Sequence, residues 1–197
     1  MKRRKVIQIS AYSATALFAA PLSAVLVSGC KTDSTMEVDV NHDSSPMYFS
    51  QEQYAFVRSV ANTLLPETDT VGAESVGVTP IMDGILSQVF TDDQKKEYAA
   101  KLSEFIESVR QDNNNQSYSS LEPADQIAYL TYKDAAWRGP EAGSIEGQVY
   151  QDLRARIIST YLATEEVGTQ LLNYLPVPGE YQSCITLETV GGKSWTL

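Results

Sequence analysis

Histidine and cysteine are nearly absent from this chain. Its 197 residues include one histidine, His42, and two cysteines, Cys30 and Cys184. A single histidine in a polar stretch excludes a Ser-His-Asp triad, a Cys-His dyad in a packed site and a His-rich zinc or iron centre. No C-x-x-C-H sequence occurs for c-type haem attachment. Neither G-x-G-x-x-G nor G-x-x-x-x-G-K-[ST] is present, so no dinucleotide fold or phosphate loop is signalled. Positive charge is scarce as well: 15 Lys and Arg stand against 25 Asp and Glu, a formal charge of −10. A surface of that sign repels nucleic acid, which rewards Lys/Arg clusters. Carboxylates alone can perform acid–base work, but the acids here are spread along the chain and no pair is marked out.

The basic residues that do exist are unevenly placed. Lys2, Arg3, Arg4 and Lys5 open the chain, and no acid precedes Asp33. A weakly apolar stretch follows and ends in small residues before Cys30, the layout of a secretory signal. A permanent membrane span needs about twenty apolar residues. Here Gln8, Ser10, Ser13 and Thr15 interrupt the first half, and the cleaner run from Ala16 to Val27 contains Pro21. Arg3-Arg4, followed by Lys5, Val6 and Ile7, resembles the twin-arginine signal that exports folded cargo. Val27-Ser28-Gly29-Cys30 resembles the lipobox of bacterial lipoproteins.

Residues 1–29 are therefore expected to be a twin-arginine-type lipoprotein signal, with Cys30 as the lipidated residue of the mature chain. Cleavage there leaves 11 basic against 25 acidic residues, a charge of −14. Acyl chains contribute about 0.8 kcal/mol per buried CH₂ and hold a soluble domain at a membrane surface. Residues 30–47 read as a flexible tether of polar composition. With Cys30 acylated, Cys184 has no partner for an internal disulfide.

Residues 48–197 read as all-α, a small irregular helical bundle with an extended tail rich in Pro, Gly and aromatics. Ser50 and Gln53 form a capping box ahead of Tyr54, Val57, Ala61, Leu64 and Leu65 at helical spacing, until Pro66 stops the run. Thr79 as N-cap and Pro80 at the first position predict a second helix with Ile81, Ile85, Leu86 and Val89 inward. Thr91 and Gln94 form another capping box before a stripe of Tyr98, Leu102, Phe105, Ile106 and Val109. A fourth helix is predicted over 122–137, with Ile127 and Leu130 inward. A fifth is predicted over 147–162, with Val149, Leu153, Ile157 and Ile158 inward. A short helix is expected after Leu162.

The tail then breaks pattern. Pro176, Pro178 and Gly179 forbid regular helix, yet Tyr174, Leu175, Val177, Tyr181, Ile185, Leu187 and Trp195 are too apolar to leave in water. Either this segment folds back over the bundle or it packs into another protein, and the two can coexist. The candidate interface residues are Tyr174, Pro176, Pro178, Gly179, Tyr181 and Trp195.

Two stretches carry a family resemblance. "ANTLLPETDTVGAESVGVTPIMDGIL" (61–86) and "TYLATEEVGTQLLNYLPVPGEYQSC" (160–184) resemble the signature regions of the gluconate 2-dehydrogenase subunit 3 family, over about residues 48–197. The resemblance implies a non-catalytic accessory subunit with no catalytic or metal-binding residues of its own. Its implied partner is a large flavoprotein of the glucose–methanol–choline type, which binds FAD and oxidises a sugar or polyol. A cytochrome c subunit carrying haem is a possible third member. The small subunit is implied to aid folding, export and membrane association of the flavoprotein. The expected location is the periplasm of a Gram-negative-type bacterium, lipid-anchored to a membrane. A stand-alone helical lipoprotein of structural or adhesin type, and more remotely a carboxylate enzyme, are the competing readings.

Overall fold

A computed structural model describes residues 45–175, 177, 179–180 and 184–195. Among them are six α-helices and no strand: α1 (Gln51–Leu64), α2 (Val78–Val89), α3 (Asp92–Asp112), α4 (Pro123–Trp137), α5 (Ile145–Leu162) and α6 (Glu165–Gln170). Single 3₁₀ turns lie at Tyr118–Ser120 and Leu187–Val190. The all-α expectation holds. Arg3, Arg4, Cys30, Pro176, Pro178 and Tyr181 lie outside the described residues.

Both capping boxes are formed. The Ser50 N–H donates to Gln53 Oε1 at 3.0 Å, and the Gln53 N–H donates to Ser50 Oγ at 3.2 Å. Gln53 then reaches across to α3, its Nε2 donating to the Ala99 carbonyl and the Ser103 hydroxyl. Thr91 and Gln94 repeat the reciprocal pair at the start of α3. These bonds satisfy amide groups that a helix start leaves orphaned.

The second helix differs from its sequence reading in two respects. Its N-cap is Gly77, held at φ 67°, and Thr79 is buried within the first turn instead of capping it. Left-handed backbone is cheap for glycine, so the chain turns into helix before Thr79. Pro80 is tolerated in that turn because its missing N–H has no intrahelical partner there.

The second difference is the inward face. Val78, Met82, Asp83 and Leu86 are buried, whereas Ile85 is 47% and Val89 71% exposed. Two apolar stripes, 78/82/86 and 81/85/89, run along this helix, and periodicity cannot choose between them. Asp83 decides, since its carboxylate has partners only on the inner side. Its Oδ1 accepts the N–H groups of Tyr48 and Phe49, and its Oδ2 accepts that of Met47.

The third stripe is as expected: Leu102, Phe105, Ile106 and Val109 are buried, with Tyr98 partly so. The α4 reading is half right, because Leu130 is buried but Ile127 faces solvent. Trp137, further along the same side, supplies the missing bulk. α5 begins at Ile145, where Ser144 Oγ accepts the Gly147 N–H at 2.9 Å. Val149, Leu153 and Ile157 point inward, and Ile158 is only partly covered.

α5 is the central element, packing against α2, α3, α4 and α6, while α1 packs on α2, α3 and α4. Between them lies an aromatic cluster. Phe56 meets Phe105 and Tyr118 edge-on, and Trp137 contacts Phe105, Tyr129 and Tyr150. Tilted and edge-to-face pairs of this kind each add about 0.5–1.5 kcal/mol beyond simple burial. Burial pushes the Tyr118 hydroxyl up to about 12, so this cluster is uncharged at any ordinary pH.

Candidate functional site

The two motif-bearing regions, far apart in sequence, meet in space. The loop after α1 folds back on itself: the Ala73 N–H donates to the Leu65 carbonyl, and the Val78 N–H to the Ala73 carbonyl. Gly72 permits this closure, since a Cβ there would stand 2.7 Å from the backbone nitrogen of Glu67. Tyr161, near the end of α5, donates its hydroxyl to the Val71 carbonyl at 2.6 Å. Burial, opposed by Thr70 and reinforced by Glu166, raises the Tyr161 pKa and keeps it a donor.

On the other side of the loop, Arg58 pairs with Glu74 and Asn62 Nδ2 donates to Glu74 Oε2 at 2.8 Å. Glu67, Asp69, Glu165 and Glu166 are all exposed around this junction, giving it an acidic surface.

α6 carries the tail away from the junction. Val167 is fully buried, and the helix packs against α5. Just beyond it, Asn173 closes a loop. Its N–H donates to the Ser194 carbonyl at 2.7 Å, and its Nδ2 donates to the carbonyls of Val190 and Lys193. A single parallel bridge links Asn173 with Trp195, and Lys193 Nζ donates to the Gln170 carbonyl.

The tail thus returns to the end of α6 through polar contacts. Its described apolar side chains stay outside the core. Tyr174 is 56% and Trp195 48% exposed, and Leu175, Val177, Ile185 and Leu187 are exposed too. Gly179 and Cys184 are exposed, the latter as a free thiol. Six exposed large apolar side chains on one segment that returns to the end of α6 make it the candidate docking element among the described residues.

Other features were invisible to pattern reading. Asp83 was one, although a lone acid inside an otherwise apolar helix is itself a signal. The set of Asp134, Tyr150 and Arg154 was another. Among the described residues, no group of His, Cys, Asp and Glu is arranged to hold a metal ion, and no helix is long and apolar enough to cross a membrane.

Residues 51–179 match the model of a family described as gluconate 2-dehydrogenase subunit 3. The match covers the whole bundle and both motif regions up to Gly179, and the chain beyond lies outside it. No curated protein and no solved structure matches.

Proposed function

The chain belongs to the gluconate 2-dehydrogenase subunit 3 family, and from that premise we propose that it escorts and docks a flavin-bearing large subunit through its C-terminal tail. Family membership makes it an accessory subunit of a gluconate dehydrogenase complex. The finer reading is that this subunit supports the folding, export and membrane association of a periplasmic flavoprotein that oxidises a sugar or polyol.

The observation that carries the docking role is the exposure of the tail's described apolar side chains, on a segment held at its base by Asn173. Tyr and Trp are favoured at such contacts because their rings offer large area at low entropic cost. Gly179 is exposed on the same segment, and Pro176, Pro178 and Tyr181, outside the described residues, are included in the proposed interface on sequence grounds. Binding a flavin dinucleotide in the usual way needs a glycine-rich turn at a helix N-terminus. This chain has no such sequence, so the FAD is assigned to the partner, and haem to a possible cytochrome c subunit.

In this reading Arg3 and Arg4 direct export of the folded pair, and Cys30 carries the lipid that retains it at a membrane. Affinity capture of the full chain from a native membrane extract, with mass spectrometry and flavin fluorescence of what co-elutes, tests the proposal. A co-purifying flavoprotein without its own export signal is expected. An Arg3→Lys/Arg4→Lys chain should leave both proteins in the cytoplasm, and a Cys30→Ser chain should lack N-terminal acyl mass. Recovery of the wild-type subunit alone overturns the escort reading, and normal periplasmic yield of the double-Lys chain overturns twin-arginine export.

A further inference from the structure

A small cavity lies where the last turn of α1 faces α4 and α5, with a volume of about 240 Å³. Leu64 and Leu130 line it with hydrocarbon, and exposed Ile127 contributes to its mouth. Its polar side is made by Thr63, Thr131, Asp134, Tyr150 and Arg154.

The bonding within that wall is uneven. Asp134 is fully engaged: Tyr150 donates its hydroxyl to Oδ1 at 2.5 Å, and Arg138 donates to Oδ2 at 2.7 Å. Arg154 is not. Its Nε is buried without a hydrogen-bond partner, and the nearest acid oxygen, Asp134 Oδ1, stands 3.6 Å away. That distance gives attraction but no hydrogen bond. Neither terminal nitrogen of Arg154 donates to any described group, although only 33% of the side chain is exposed. Asp134 therefore orients this guanidinium without consuming its donors.

Charge adds a second argument. Arg138 and Arg154 share one carboxylate, leaving a surplus positive charge on a strongly acidic protein. A planar guanidinium with free donors matches a planar carboxylate. Phosphate or sulfate brings oxygens on every side and would set some of them against Leu64 and Leu130, where no donor meets them. A cleft of about 240 Å³, open on the side of exposed Ile127, holds a carboxylate and a short stem, and anything longer lies outside it.

We propose that this cavity binds a carboxylate on a short aliphatic stem, anchored by the terminal nitrogens of Arg154 with the stem on Leu64 and Leu130. Such a group is supplied either by a free short-chain acid or by a glutamate side chain of a docked protein. The assignment stands on the cavity alone and does not depend on the subunit reading.

The test follows the Arg154 Nε–Hε resonance of the full-length mature chain during titration with sodium propionate. Sodium chloride at equal ionic strength is the control. A saturating shift with a midpoint in roughly the millimolar range, absent with chloride, is the expected result. Arg154→Gln should remove the binding, read by calorimetry. Ile127→Asp, at an exposed position, should weaken it about tenfold or more with melting unchanged, by placing a like charge at the mouth. A parallel titration with N-acetyl-glutamate α-amide ranks the two sources: tighter binding of that compound points to a partner side chain, and tighter binding of propionate to a free acid. Either ranking supports the site. An absent or non-saturating shift, an equal response to chloride, or undiminished binding in Ile127→Asp overturns it.

Discussion

The Asp83 carboxylate on α2 accepts the backbone N–H of Phe49 at 2.8 Å, from a residue 34 positions earlier in the chain. Met47 and Tyr48 donate to the same side chain, so three consecutive amides converge on one buried acid. The Phe49 side chain is itself buried. This clasp fastens the segment that enters the bundle from the N-terminal side, and a pull on the proposed tether would be resisted there.

Asp83→Ala is accordingly expected to be strongly destabilising. Hydrogen bonds to a charged group contribute about 1.5–3 kcal/mol each, and orphaned buried donors add their own cost. A loss of about 3 kcal/mol or more is anticipated by urea titration, with new protease cleavage near residues 45–49. Asp83→Asn keeps one acceptor oxygen and should lose less. Equal stability of wild type and Asp83→Ala would refute the clasp.

The loop between α1 and α2 depends on two glycines for different reasons. Gly77 sits at φ 67°, and a side chain there incurs about 1 kcal/mol of backbone strain. Gly72 has an ordinary φ but no room, because its Cβ would approach Glu67 N to 2.7 Å. Backbone must move to relieve that contact, so Gly72→Ala should cost about 1–3 kcal/mol and weaken the Tyr161–Val71 bond as well. The combined prediction is a lower melting temperature for both variants, with the Tyr161 ring environment altered in near-ultraviolet spectra only for Gly72→Ala.

Acid, not neutral pH, is where this bundle should weaken. At Asp134, burial works to raise the pKa but is outweighed by the Tyr150 hydroxyl, Arg138 and Arg154, which hold it below the usual carboxylate range. Asp112 is likewise lowered, with Lys133 and Tyr129 overcoming burial. A carboxylate depressed on folding contributes stability that is complete above its unfolded pKa, about 3.9. That contribution is lost as pH falls through the folded pKa. The described bundle contains no histidine, so stability should be flat from about pH 5 to 8 and decline below about pH 4. Asp134→Asn should lower the plateau and make the acid limb shallower. A midpoint of loss near pH 6 would contradict this assignment.

Much of this fold was legible in local chemistry. Ser50 with Gln53, and Thr91 with Gln94, are self-contained signals that need no tertiary context, and both appear as read. The α3 stripe was unambiguous because its opposite face is charged. Where a helix is apolar on two sides, as in α2, pattern alone cannot orient it, and Ile85 and Val89 were misplaced for that reason. Ile127 failed differently: it has the right spacing, but it lies at the open edge of a cleft beside Leu64 and Leu130, outside the closed core. Arg154 and Arg156 look equivalent in sequence. In space, Arg156 pairs with Asp152 and lies over Phe90 and Tyr98, while Arg154 turns into a cavity with its donors free. Which of two neighbouring arginines is satisfied depends on residues from other helices.

The tail offers the sharpest separation between packing and docking. Tyr174 and Trp195 flank the loop that Asn173 closes, and each keeps about half its surface in water. The covered half of each ring lies outside the buried core of the bundle, and Trp195 meets Asn173 through its backbone. Tyr174→Ala/Trp195→Ala is therefore expected to loosen the tail and to melt within about 1 kcal/mol of wild type. If these rings dock the flavoprotein, each truncation should cost about 2 kcal/mol of binding, roughly a 30-fold loss of affinity. Asn173→Ala provides the complementary variant, because it frees the carbonyls of Val190 and Lys193 and opens the loop while leaving both rings intact. It should weaken capture through lost preorganisation, with little effect on the bundle. The discriminating measurement is surface-immobilised capture of the flavoprotein beside thermal melting of each variant. A double variant that binds as wild type does removes these two rings from the interface. A double variant that melts early shows that they stabilise the subunit itself.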